Sequence, residues 1–241
     1  SSSTILADRG DVIIQSGRVN FDNSKIKGSI NLNGAVTDDL ILEEFRETLD
    51  PTSDLIEFLN PLGSDNAYYL DTGWVSSDST IELPNSSSIW IADKNTIGVN
   101  EPVKLTWTSD QNITFEKIIT LDENYLFSVD QRVINNSGLS FDLYPYGLSK
   151  RQGIPEMQNF FILHEGPLSI TDGVLEEYDY DDLKDDKKIK HSSVGGWIGM
   201  TDKYWQTAII PNQNEPVQQT YSYSFVDNID NFQTDIVGER I

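Results

Sequence analysis

The sequence predicts an all-β protein of two stacked antiparallel sheets with one short helix, and three observations lead there. Apolar and polar residues alternate with period two across residues 103–148, the spacing that turns one face of a strand to a core and the other to water. Gly, Pro, Asn and Asp interrupt the chain at the short intervals that suit a large sandwich. Helical periodicity is confined to one acidic stretch near residues 179–190. No internal repeat of about 20–50 residues is visible, which argues against a solenoid or propeller.

In chain order, strands are expected at residues 11–15, 28–32, 40–48, 54–59, 67–70, 81–83 and 88–92, each an apolar-bearing run closed by turn-forming residues. The next strand is the clearest, because Val103, Leu105 and Trp107 alternate with Lys104, Thr106 and Thr108. Ile113, Phe115, Ile119 and Leu121 continue the pattern, broken only by Lys117. Tyr125, Phe127, Val129 and Val133 then share one face opposite Ser128, Asp130 and Arg132. Asn135, Asn136, Ser137 and Gly138 tolerate positive φ and bond their own backbone, so they are expected to form a hairpin loop returning as a strand through Leu139, Phe141 and Leu143. The helix is expected at residues 179–190, where Asp181, Asp182, Asp185 and Asp186 precede Lys187, Lys188 and Lys190; acid first and base last complements the helix dipole. Strands at 204–210 and 221–226 close the series. No linker divides the chain, and a single all-β domain commonly runs to about 200–250 residues, so residues 1–241 are expected to form one domain.

The chain carries 17 Lys and Arg against 39 Asp and Glu, a formal charge of −22, with two His and no Cys. Without cysteine there is no disulfide scaffold, Cys-ligated metal or thiol nucleophile. So acidic a chain, lacking any Lys/Arg-rich stretch, repels phosphate and is not a conventional nucleic-acid binder. The longest purely apolar runs, at residues 67–70, 89–92 and 160–163, are four residues long, whereas a membrane-spanning helix needs about 20. The chain is therefore expected to be soluble, and its polar start, Ser1 to Ser3, reads as a fragment end and not as a targeting signal.

Proton-transfer chemistry would have to use His164 or His191, the only imidazoles, with a carboxylate such as Glu165. His164 ends the apolar run at 160–163 and precedes Glu165, Gly166 and Pro167, which suits a hydrogen-bonded or solvated residue at a strand end better than a general acid. His191 follows the lysines of the helix end, where it can support the negative pole of the dipole. Asp38 with Asp39 and Glu43 with Glu44 offer paired carboxylates, but glycoside hydrolysis needs two groups at a set separation across a cleft, and neighbours on a strand point to opposite faces. Counting a calcium loop from Asp179 puts Leu183 fifth, Lys184 where Gly belongs and Lys190 where the bidentate Glu should be. Residues 179–186 are therefore read as a solvated face. Neither G-x-S-x-G nor a phosphate-binding loop occurs. No catalytic, cofactor or metal site is assigned. Of Trp74, Trp90, Trp107, Trp197 and Trp205, most are expected in the core. Tyr68 with Tyr69, and Tyr204 with Trp205, place one ring on each face of a strand and leave one ring of each pair open to a partner.

One block is unusually specific: Gly195-Gly196-Trp197-Ile198-Gly199-Met200-Thr201-Asp202-Lys203-Tyr204-Trp205-Gln206-Thr207-Ala208-Ile209-Ile210-Pro211. Before it come residues 28–48, which include Gly34-Ala35 and Asp38-Asp39-Leu40. Leu143-Tyr144-Pro145-Tyr146-Gly147-Leu148-Ser149 with Arg151 follows, and then Phe160-Phe161-Ile162-Leu163-His164-Glu165-Gly166-Pro167. In this order they resemble the large periplasmic domain of YidC, the bacterial membrane protein insertase, in its alpha-proteobacterial form.

The resemblance implies a β-supersandwich similar to galactose mutarotases, on the periplasmic side of the bacterial inner membrane. It also implies a transmembrane helix before Ser1 and, after Ile241, the membrane core that carries the insertase activity. The expected function is non-catalytic assistance to insertion and folding of membrane proteins. Sec translocon accessory subunits and nascent membrane-protein segments are the implied partners, with no cofactor. A groove between sheets or an exposed sheet edge would serve such contacts, and a charge of −22 disfavours lying on anionic lipid. The alternative is a carbohydrate-binding or aldose-epimerase-like protein, suggested by the shared architecture and the aromatics. Such epimerases bring a His acid and a Glu base together in a cleft, and neither His164 nor His191 sits in a matching motif; fold likeness is an analogy only.

Overall fold

The computed structural model describes residues 7–155, 164–202 and 204–241. Its strands are β1 (Arg18–Asp22), β2 (Ile26–Asn31), β3 (Val36–Arg46), β4 (Leu55–Leu59), β5 (Tyr68–Val75), β6 (Ile91–Ala92), β7 (Thr96–Ile97), β8 (Val103–Thr108), β9 (Ile113–Leu121), β10 (Phe127–Asn135), β11 (Tyr144–Gln152), β12 (Gly166–Thr171), β13 (Val174–Glu177), β14 (Lys188–Val194), β15 (Trp197–Thr201), β16 (Gln206–Ile209), β17 (Pro216–Val226) and β18 (Ile229–Val237). Two short helices, α1 (Arg9–Ile13) and α2 (Tyr180–Asp186), complete the series. The chain is an all-β sandwich protein divided into two compact units, residues 7–65 with 76–142, and residues 66–75 with the described part of 143–241.

In the first unit β7, β1, β2 and β3 lie side by side and β4 pairs with β3. All pairs are antiparallel except β1 with the two-residue β7. Strands β10, β9, β8 and β6 make an antiparallel sheet that packs against this one. The alternation explains the core, since Val19, Phe21, Ile26 and Ile30 from one sheet and Val103, Leu105, Phe115 and Leu121 from the other are all buried, each contributing about 1.5–3 kcal/mol. Phe21 and Phe127 meet edge to face across the layers at 5.0 Å. Lys117, the charged interruption of the pattern, is also inside: its Nζ donates to Ala35 O at 3.1 Å and lies 5.1 Å from the centre of the Trp90 ring.

The second unit orders β14, β17, β18, β11 and β5 in one antiparallel sheet and β13, β12, β15 and β16 in another. Tyr68 on β5 bonds Thr207 on β16, and Thr171 on β12 donates to Gln219 on β17, so the two sheets share a partly polar interior. Helix α2 sets Tyr180 edge-on against Phe232, 4.6 Å between centroids, and buries Leu183.

Several expectations are corrected. Residues 11–15 lie in and after α1: the Asp8 carboxylate accepts from Gly10 N–H and Asp8 O accepts from Val12 N–H, and an N-cap outweighs three consecutive apolar residues that do not alternate. Residues 81–83 make no ladder, because Glu82 N–H donates to Gln111 Oε1 and Ile81 N–H to Asp78 O. The loop after Asn135 turns as expected, with Ser137 N–H on Asn135 Oδ1 and Leu139 N–H on Ser137 Oγ. It does not return as expected, however: Leu139, Phe141 and Leu143 lie outside any strand, and the next strand, β11, begins at Tyr144 and pairs with β5 and β18. Alternation announces a strand but not its neighbour. Tyr125 precedes β10 and is exposed instead of sharing its inner face. The helix stops at Asp186, Lys187 adopts φ +63°, and β14 follows, so His191 belongs to a strand and supports no helix pole. Strands β1, β7, β12, β13, β14, β15 and β18 fall outside the expected set, and the apolar run at 160–163 lies outside the described residues.

Candidate functional site

Asp38 and Asp39 are both buried, and a bulge brings them together. Ser29 pairs with Asp39 and Ile30 with Thr37, which makes Asp38 the extra residue of β3. Ser29 Oγ donates to Asp39 Oδ2 at 2.6 Å and accepts from Arg18 Nη1 at 3.2 Å, while the same Nη1 reaches Asp38 Oδ1 at 2.7 Å. Arg9 closes on Asp39 at 2.5 Å, and Arg18 Nε donates to Ile13 O at 2.9 Å. The expectation of opposite faces is therefore overturned by the bulge. Each carboxylate is neutralised by its own guanidinium, and both arginines tie α1 or its end to β2 and β3. In such a clamp both Asp38 and Asp39 are engaged by arginine. Glu43 pairs with Lys27 at 3.0 Å, and Glu44 accepts from Tyr125 OH at 3.0 Å.

In the second unit Arg151 holds Asp202 through two bonds of 2.6 and 2.9 Å and lies 4.6 Å from the centre of the Tyr68 ring. Burial pushes the Tyr68 phenol well above its ordinary range, so it stays protonated. Arg151 and Asp202 both belong to the sequence blocks singled out above. The glycines of the block at 195–211 have steric reasons. A Cβ on Gly196, whose φ is +77°, would stand 2.1 Å from Ile170 O, and one on Gly199 would stand 1.8 Å from Thr207 O.

Both histidines make internal bonds. His164 donates from Nε2 to Pro167 O at 3.1 Å, and its Nδ1 stands 3.7 Å from Asp179. His191 Nε2 bonds Tyr178 OH at 2.8 Å, with its ring edge-on to buried Tyr221. The acidic run at 179–186 serves α2: Asp182 accepts from Asp179 N–H at 3.1 Å, and Lys184 reaches Asp230 at 3.0 Å. Among the described residues no group of three or more His, Asp or Glu is arranged to hold a metal. The expectation that most tryptophans lie in the core is corrected: Trp74 and Trp90 are buried, whereas Trp107, Trp197 and Trp205 are half-buried at the edge of the packing, and Tyr204 beside Trp205 is exposed.

What remains open is surface. A groove of about 500 Å³ runs over strand ends of the second unit, bounded by Tyr144, Asp172, Val194, Pro216, Gln218 and Val237; His164, His191 and Glu165 do not line it. Among the described residues β10 is bonded on one side only, by β9, and is a nine-residue edge. The β3–β4 hairpin leaves Phe45 and Leu49 exposed among acids. Sequence reading took Glu43 and Glu44 only as a carboxylate pair; the signal it passed over was two large apolar residues in an acidic run.

A family model described as the YidC periplasmic domain matches residues 18–240. The membrane protein insertase YidC of Pelagibacter ubique is 39% identical over 216 residues, covering 89% of this chain and 38% of that protein. That of Rickettsia bellii is 37% identical over 225 residues, 93% of this chain and 40% of the relative, and that of Granulibacter bethesdensis is 38% identical over 232 residues, 94% and 40%. The chain thus spans about two fifths of the length of these curated relatives. No helix among the described residues is long and apolar enough to cross a membrane. With the matched span running from β1 past the end of β18 and including the ion pairs Arg18–Asp38 and Arg151–Asp202, this chain belongs to the YidC periplasmic domain family.

Proposed function

We propose that this chain is the periplasmic module of an inner-membrane protein insertase and assists insertion and folding of membrane proteins by contact, without catalysis of its own. One observation carries the reading: the family match extends through both compact units, and we take the two together, residues 1–241, as one working domain. The chemistry of the side chains supports a non-enzymatic role. The imidazoles and the paired carboxylates most suited to proton transfer are committed to internal bonds. Partners of the proposed kind are Sec translocon accessory subunits and segments of membrane proteins emerging on the periplasmic side. A charge of −22 keeps such a module off anionic headgroups and turned toward other polypeptides.

The test is retention of purified Sec accessory subunits, and separately of nascent periplasmic loops, on the immobilised chain. Binding with a Kd of roughly tens of micromolar or tighter is expected, the range of weak transient contacts. No retention of either class at such concentrations overturns the contact role.

A further inference from the structure

Strand β10 carries a charge pattern that complements itself. Around its middle residue the sequence reads Val129-Asp130-Gln131-Arg132-Val133, so reversing the strand exchanges Asp130 with Arg132 and Val129 with Val133. Both charged side chains are exposed on the outer face of the sheet, that of Arg132 by 66%, and its ion pair with Glu116 is stretched to 3.9 Å. The backbone is open in a matching phase. Asp122 N–H donates to Leu126 O at 3.0 Å and Asn136 N–H to Asn112 O at 3.1 Å. Continued through the β9–β10 register, these bonds assign the even-numbered residues of β10 to β9. The odd-numbered residues from Phe127 to Asn135 therefore turn their N–H and C=O groups away from β9, where among the described residues no further strand pairs with β10.

We propose that β10 is a self-association edge, pairing antiparallel with β10 of a second copy of this chain about a two-fold axis at Gln131. In that register Phe127 faces Asn135 and Val129 faces Val133, and the outward backbone groups of one copy meet those of the other. Asp130 falls opposite Arg132 twice, at the pairs without backbone bonds, where Cβ atoms approach to about 4.5–5.5 Å. Two four-stranded sheets become one continuous sheet, and a two-fold contact of this kind closes on itself. Charge selects both the occupant and the register. At −22 most of the surface repels a second copy, whereas β10 is neutral and offers each copy a cation for the other's carboxylate. The adjacent registers that keep the backbone in phase set Asp130 against Asp130 or Arg132 against Arg132, and like charges directly opposite are destabilising. The register asks nothing of the Gln131 side chain, which lies on the inner face with Val129 and Val133. This inference stands apart from the partner contacts proposed above.

Sedimentation velocity of the whole 241-residue chain tests it. One strand on each side makes a small contact, so a dimer with a Kd of roughly 0.1 mM is expected. By symmetry each substitution acts twice. Asp130→Lys alone and Arg132→Glu alone should each weaken association at least about tenfold, because both cross-strand pairs turn repulsive. Mixed with each other, the two variants should associate like the parent, since every cation again meets a carboxylate. Val129→Pro removes one outward N–H without touching a bond to β9 and should abolish the dimer. Thermal melts should show these variants folded. A milder pair checks the register without altering charge: the chain has no cysteine, and Ser128→Cys mixed with Ile134→Cys should crosslink under copper–phenanthroline, whereas Ser128→Cys alone should not. A parent that stays monomeric at about 1 mM, undiminished association in either charge variant or in Val129→Pro, no association between the two mixed charge variants, or no crosslink in the mixed cysteine pair each overturns the proposal.

Discussion

Removing the carboxylate of Asp38 should cost more than any comparable change at the surface. The Arg18 and Asp38 side chains are only 7% and 5% exposed, and two bonds of 2.7 and 3.3 Å join them. Asp38→Ala leaves a guanidinium in a site that water scarcely reaches. Breaking one partner of such a buried pair costs about 3–5 kcal/mol, a large part of the roughly 5–15 kcal/mol that holds a typical domain folded. For a chain of this size that corresponds to a melting temperature lower by about 6–20 °C. The double change Arg18→Met with Asp38→Leu should cost less than Asp38→Ala alone, since no charge is stranded. It still forfeits the bonds from Arg18 to Ile13 O and Ser29 Oγ, worth about 0.5–1.5 kcal/mol each. Urea unfolding followed by tryptophan fluorescence and circular dichroism would measure Asp38→Ala, Arg18→Met and the double variant. A cost under about 1 kcal/mol for Asp38→Ala at unchanged slope, or a double variant as damaged as the sum of the singles, would refute the idea of a dry, mutually dependent pair.

Glycine supplies a second prediction: Gly199→Ala should cost more than about 3 kcal/mol, because the new Cβ meets the Thr207 carbonyl and must force β15 and β16 apart. Gly138→Ala, at φ +76° with open space around it, should cost only about 1 kcal/mol, and thermal unfolding would rank the two. A third concerns pH. Burial raises the Asp235 carboxyl above the ordinary 3.8, against opposing bonds from Gln233 and Thr220. The folded chain therefore holds a proton that the unfolded chain has released, and stability is lost as pH rises from the ordinary carboxylate range through the raised native value. Asp235→Asn should remove that loss, raising the melting temperature at neutral pH while leaving it unchanged in strong acid; a parallel shift at every pH would contradict the assignment.

Much of the fold was legible because period two is a local property. Val103, Leu105, Phe115 and Leu121 are buried for the reason the alternation gives, and even Lys117, the exception in the pattern, follows the strand inward. The candidate chemistry was legible mainly in the negative. His164 had the neighbours of a structural residue, and it bonds Pro167 O three residues on. The proximity of Asp38 and Asp39 was not legible, since a bulge is a matter of register between β2 and β3 and no one-strand pattern reports it. The exposure of Leu49 was hidden for a related reason, because an apolar residue in an acidic run reads the same whether a partner strand covers it or not.

From its sequence alone the chain was determined to be rich in strands, strongly acidic, without thiol chemistry, and close to the periplasmic domain of YidC, because alternation, charge and motif are written residue by residue. Only the tertiary structure decided which groups meet. Tyr68 finds Thr207 from 139 positions away, Arg151 finds Asp202 from 51, and β11 leaves β10 for β5 and β18. Those choices depend on the burial and register of segments far apart in the chain, where the free energy of packing compares many partners at once and local pattern holds no record of the outcome.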